Sequence, residues 1–146
     1  MKFGSWVCIA GLMFAIAACG YTHDPKTVFP QTWKASYVKI QKCQKSEDHT
    51  GPYNEVWINK AGLAACKAAK AIPQGTIFLK PQFKDAACTD FSVWTAMRKE
   101  AKGSFPTGGD YRYQTISPRG QLIQNGAPKF CTNCHENCDN YLCTDP

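Results

Sequence analysis

Cys131, Cys134 and His135 fall within about one helical turn in the run Cys131-Thr132-Asn133-Cys134-His135, close to the C-terminus. Two thiols in CxxC spacing beside an imidazole suit one chemistry in particular: the thiols add to the two vinyl groups of a haem and the imidazole ligates its iron. The sequence therefore predicts one covalently held haem c, attached at Cys131 and Cys134 and ligated by His135. Eleven residues follow His135 and none is Met or His, so a sixth ligand would have to come from upstream. Met97 lies in an apolar, strand-like run with Val93, Trp94 and Ala96, where filling the core is the simpler use of its side chain. His49 follows Ser46-Glu47-Asp48 in a polar stretch, and His23 lies nearer the N-terminus. With neither Met97 nor His49 on the iron, one face stays open for small ligands; with either, the alternative is an electron-transfer cytochrome.

The same cysteines have competing uses. Cys131, Cys134, Cys138 and Cys143 with His135 could hold zinc or an iron–sulfur cluster. A disulfide-stapled structural lipoprotein without haem is the further alternative. Compartment weighs against thiolate metal sites, because the chain opens as an exported protein does: Lys2 precedes an apolar run from Trp6 to Ala18 that is short for a membrane span. Ile16-Ala17-Ala18-Cys19 resembles a bacterial lipobox, which predicts a signal peptide over residues 1–18, lipidation of Cys19 and a polar tether over residues 19–30. Gly20 after Cys19 resembles the pattern of outer-membrane sorting, so the expected location is the periplasmic side, anchored to the (outer) membrane.

Of 146 residues, cleavage before Cys19 leaves 128, enough for one domain with one core over residues 31–146. The signal carries Lys2 as its only charge, so the formal net charge falls from +6 to +5. The basic residues are scattered, which fits a solvated surface that could steer a redox partner protein and speaks against nucleic acid. Nine cysteines, less Cys8 in the signal, Cys19 at the lipid and the CxxCH pair, leave Cys43, Cys66, Cys88, Cys138 and Cys143. Cys66, in the alanine-rich run 61–71, is the expected free thiol. Cys43, Cys88, Cys138 and Cys143 are the disulfide candidates, in an unassigned pairing expected to tie the C-terminal segment to the rest of the domain.

The elements that must position this site read as α+β, a mainly antiparallel sheet with a few packed helices. Trp33, Tyr37, Val38 and Ile40 suggest a helix over Thr32–Lys42, followed by a polar loop. Glu55–Ile58, Thr76–Lys80, Phe91–Lys99 and Tyr111–Ile116 read as strands. A helix carries Leu63, Ala64, Cys66 and Ala68, and Ser117-Pro118-Arg119-Gly120 turns the chain into a hairpin partner at Gln121–Gln124.

Several blocks now line up in order: Glu55-Val56-Trp57-Ile58-Asn59 with Ala61-Gly62, Ile72 to Lys80, Trp94 to Lys99, Gly109-Asp110-Tyr111 with Tyr113, and CxxCH. From about Trp33 to Leu142 the chain resembles the cytochrome P-460 family, which includes the cytochromes c′-beta. The resemblance implies a β-sheet domain, commonly a homodimer, with a five-coordinate haem c on His135. Some members oxidise hydroxylamine, and the c′-beta members bind nitric oxide and carbon monoxide without that turnover. It also implies Lys80 as a candidate haem cross-link. The chain departs from the family at Pro81, where an acidic residue is common, and has no carboxylate between Ala101 and Gly109. Phe105 and Phe78 are then the expected walls of an apolar pocket for neutral diatomics, with Glu100 and Asp110 flanking the loop.

Overall fold

Six strands run in sequence order, each antiparallel to the next, as a simple meander: β1 (Tyr37–Lys45), β2 (Tyr53–Asn59), β3 (Ile77–Phe83), β4 (Phe91–Lys99), β5 (Tyr111–Ile116) and β6 (Leu122–Gly126). The computed structural model describes residues 24–46, 49 and 51–143. One helix, α1 (Lys60–Lys67), joins β2 to β3, and another, α2 (Lys129–His135), follows β6. Cys8, Cys19, His23 and the apolar run Trp6 to Ala18 lie outside the described residues.

Alternation along the strands builds two apolar layers, because successive side chains point to opposite faces. Ile77 and Leu79 join Val28, Phe29, Trp33, Tyr37, Ala96 and Ile116 on one face. Phe78 joins Ile58, Cys66, Ile72, Tyr111 and Tyr113 on the other, with Met97 and Cys131 packed against them. Fully burying a side chain such as Leu79 or Ile58 contributes roughly 1.5–3 kcal/mol. The second layer is the one α1 and α2 cover, and Gly62 lets α1 approach closely: a Cβ there would lie 2.1 Å from Cγ2 of buried Thr76.

Three expectations are corrected. The stretch predicted as a helix over Thr32–Lys42 is a single 3-10 turn at Trp33–Ala35 followed by β1, where Tyr37 and Val38 stand opposite Asn59 and Ile58. Trp33, Tyr37 and Ile40 satisfy helical spacing, but Val38 and Ile40 are β-branched and the ladder offered by β2 decides the outcome. Residues 24–30, expected in a polar tether, belong to the folded sheet domain. Val28 and Phe29 are buried, and the Gln114 side chain accepts the Val28 N–H at 2.8 Å while donating to the Lys26 carbonyl at 2.9 Å. The third concerns the disulfides, which pair Cys43 with Cys88 and Cys138 with Cys143. The first clips β1 to the β3–β4 loop, and the second closes a short loop within the C-terminal segment, so neither ties that segment to the sheet. Cys66 is buried and unpaired, as expected.

The strand predicted over residues 76–80 runs on through Pro81 to Phe83. β3 pairs with β2 at Leu79–Trp57 and at Gln82–Asn54, and Pro81, which has no N–H to donate, lies between these pairs.

Candidate functional site

A cavity of about 670 Å3 lies between the second face of the sheet and α2. The meander brings Val56 of β2, Phe78 and Lys80 of β3, Met97 of β4 and Tyr113 of β5 to its wall, and α2 closes it with Cys131, Cys134 and His135. Positions 131, 134 and 135 fall at i, i+3 and i+4 of α2, so their side chains share one face of the helix. Gly108 makes room for that helix, since a Cβ there would come within 3.0 Å of Thr132 Cγ2. Cys131 and Cys134 are both free thiols, whereas Cys138 and Cys143 beside them are joined.

His135 is buried and held from behind. Its Nδ1 lies 2.8 Å from the Tyr141 carbonyl oxygen. A carbonyl only accepts, so Nδ1 carries the proton and Nε2 keeps its lone pair. The loop that brings this carbonyl round has left-handed backbone at Asn140 (φ 52°) and Tyr141 (φ 63°) and is closed by the Cys138–Cys143 disulfide. Gly109 leaves space for the Tyr141 ring, because a Cβ on it would meet Tyr141 Cδ2 at 2.3 Å. On another side the Tyr113 ring meets that of His135 edge-on, with centroids 5.2 Å apart.

His49 reaches the same cavity from beyond β1. Its Nδ1 is 3.4 Å from Ser46 Oγ, and its ring centroid is 6.4 Å from that of His135, with the ring planes at 81°. Burial, then the charges of Lys80 and His135, pushes the His49 imidazole down to about 4. Burial also lowers His135; its carbonyl partner opposes this and the Lys80 charge adds to it. Both rings are therefore neutral near pH 7, the form in which imidazole binds metal. Burial, helped by the neighbouring Cys134, raises the Cys131 thiol to about 11. Lys45 and Lys80 bring ammonium groups to the wall, and among the described lining residues there is no Asp or Glu.

Of the residues singled out from sequence, Cys131, Cys134, His135, Phe78 and Lys80 come together here. Lys80 alternates with Leu79 as Phe78 does and faces the cavity rather than ending a strand in water. Phe105 lies elsewhere: the Arg112 guanidinium sits 5.1 Å above its ring, its N–H donates to Asp110 Oδ1 at 2.9 Å, and it does not line the cavity. Glu100 is likewise occupied, accepting from Arg98 at 2.9 and 3.0 Å and from Arg112 at 2.6 Å. Sequence reasoning gave no role to Val56 as a wall residue or to Tyr141 as the partner of His135. Val56 was open to detection from strand alternation, whereas a carbonyl partner leaves no mark in residue types.

Comparison with known proteins agrees with this geometry. The family model described as Cytochrome P460 matches residues 30–141. No curated protein matches the chain.

Proposed function

The chain belongs to the cytochrome P460 family, a family of haem proteins, and from that premise we propose that it carries one haem c and binds small nitrogen species, nitric oxide or hydroxylamine, at its iron. The observation that carries this reading is the pair of unjoined thiols, Cys131 and Cys134, on a cavity wall next to a histidine whose Nε2 is free. The residues present fit the group. About 670 Å3 lies within the range of small-molecule sites, roughly 300–1,000 Å3. Lys45 and Lys80 match carboxylates such as the propionates, and Phe78, Val56 and Met97 supply apolar wall.

In this reading Cys131 and Cys134 hold the group covalently and His135 Nε2 is the proximal ligand. Tyr141 orients the His135 ring and strengthens it as a donor through the Nδ1 hydrogen bond. The haem would supply an iron able to bind small ligands and exchange electrons. Phe78 and Val56 keep the wall apolar, which favours neutral diatomic ligands, and Lys80, which lines the cavity, is the residue this reading assigns to a bond with the haem edge in the manner of the family. The reading includes export, since haem attachment outside the cytoplasm agrees with two disulfides that need an oxidising compartment. It also includes a lipid anchor at Cys19, which Cys19→Ala would abolish, releasing the protein from membranes, and a homodimer, which sedimentation would detect.

The test is the visible spectrum of protein matured in a bacterial periplasm equipped for haem attachment, taken ferric, ferrous, and ferrous with nitric oxide. A haem spectrum that shifts with nitric oxide supports the proposal, and a colourless protein contradicts it. A strongly red-shifted ferrous Soret band together with hydroxylamine turnover, both lost in Lys80→Arg, would assign the cross-link and the oxidising activity. An ordinary band without turnover assigns ligand binding alone.

A further inference from the structure

We propose that Asn54 and Gln41 are the recognition pair of the cavity, presenting one hydrogen-bond donor and one acceptor to a small neutral ligand that itself both donates and accepts. This rests on the ligand-binding proposal above and deepens it. Of the ligands named so far hydroxylamine has that chemistry, whereas nitric oxide and carbon monoxide carry no hydrogen to donate.

A polar break in an apolar row is the first observation. The second-face row of β2 reads Ile58, Val56, Asn54, and Asn54 is 3% exposed. A polar side chain buried in such a row calls for partners. Asn54 has one: its Oδ1 accepts from Gln41 Nε2 at 3.3 Å, long for an N–H···O bond. Gln82, opposite Asn54 on β3, is by contrast engaged at both ends, accepting the Gly51 N–H at 2.7 Å and donating to Thr95 Oγ1 at 3.1 Å.

The second observation is what the pair leaves over. Each amide has an oxygen that accepts and a nitrogen that donates. Their one bond leaves Asn54 Nδ2 and Gln41 Oε1, neither with another hydrogen bond among the described residues. Exchanging oxygen and nitrogen in both amides still leaves one donor and one acceptor. The side-chain atoms sealed without a partner belong to Tyr37, Thr76 and Tyr111, not to this pair. Both residues line the cavity, so the two groups open into it.

The third is a distortion of β1. Its register slips between Lys39 and Gln41 and again between Gln41 and Gln44. In unbroken alternation Gln41 would share the side of Tyr37, which packs in the first-face layer. The slip sets Gln41 opposite Val56 and on the cavity wall, the re-aiming that bulges provide beside binding sites. The pair is uncharged and no Asp or Glu lines the cavity among the described residues, so the occupant it suits is neutral. A ligand that only accepts leaves the remaining acceptor unpaired, and a missing hydrogen bond discriminates more sharply than size.

The experiment titrates the holoprotein, Asn54→Leu and Gln41→Leu with hydroxylamine in the ferric state, read in the first phase after rapid mixing, and with carbon monoxide in the ferrous state. Haem staining and thermal melting run alongside, and the infrared stretch of bound carbon monoxide reports whether a donor faces the ligand. Hydroxylamine affinity should fall at least about tenfold in both variants while carbon monoxide affinity stays within about twofold. The carbon monoxide stretch should rise in Asn54→Leu. Unchanged hydroxylamine affinity, equal losses for both ligands or an unmoved stretch would each overturn the inference. Should Asn54→Leu fail to fold, Gln41→Leu, at a partly exposed position, decides by the same affinity comparison. Absence of haem from all three proteins would defeat the haem proposal and this inference with it. Because staining is read separately from affinity, failure of the pair alone is distinguishable.

Discussion

His135 Nδ1 and the Tyr141 carbonyl oxygen lie 2.8 Å apart, six residues apart in sequence, across a loop whose two turning residues are left-handed and whose ends are joined by a disulfide. The backbone around Tyr141 is spent on placing one acceptor. Gly109 shares in this, since its missing Cβ is the space the Tyr141 ring occupies.

Gly109→Ala is therefore expected to act at a distance. A residue with a side chain in left-handed backbone (φ 63°) costs about 1–2 kcal/mol, and the clash with Tyr141 adds to it. Displacing the carbonyl weakens the His135 donor, so the reduction potential of the holoprotein should rise, as redox titration would show. A potential equal to wild type alongside a lowered melting temperature would mean that Tyr141 only packs.

The two disulfides should differ in what they stabilise. Chain-entropy arguments give about 4 kcal/mol for the 45-residue separation of Cys43 and Cys88 and about 2 kcal/mol for the 5-residue separation of Cys138 and Cys143. Cys43→Ser with Cys88→Ser should lower the denaturant midpoint more than Cys138→Ser with Cys143→Ser. The second pair should loosen His135 more, visible as a broadened haem spectrum. Equal losses of global stability would show that the C-terminal loop is more deeply coupled to the sheet than the packing implies.

Glu100 makes a prediction about acid. Burial alone would raise its carboxyl, but the hydrogen bonds and charges of Arg98 and Arg112 outweigh that and hold it below the ordinary glutamate value of 4.5. A depressed carboxylate adds stability that is complete above the ordinary value and fades as pH falls through the lower folded one. Wild type should thus lose stability below about pH 4.5 more steeply than Glu100→Gln. At neutral pH the variant should be less stable by about 1–2 kcal/mol, a figure reduced because both arginines are partly in water. Parallel acid-denaturation curves would remove Glu100 from the account.

Particular residues show how much of this was legible in the sequence. CxxCH places its three groups on one helical face whatever the surrounding fold, so the core of the site could be read directly. The alternation Ile77, Phe78, Leu79, Lys80 likewise told which side chains share a face. Thr32–Lys42 misled because Trp33, Tyr37 and Ile40 fit a period of 3.6 while Val38 and Ile40 also fit a period of 2, and pairing with β2 chose between them. Phe105 was placed by loop position, but loop residues follow local partners, here Asp110 and Arg112. His49 was open as a possible ligand from its residue type, but its polar stretch has no periodicity that would place it beside His135.

The proposed function stands on covalent attachment of one haem through Cys131 and Cys134 beside His135. Intact mass measured under denaturing conditions, on protein matured in a periplasm with haem-attachment machinery, tests it most directly. The expected mass is the mature polypeptide plus one haem, and the polypeptide without haem in Cys131→Ser with Cys134→Ser. Wild type without the added mass, or a double variant that keeps it, would contradict the claim.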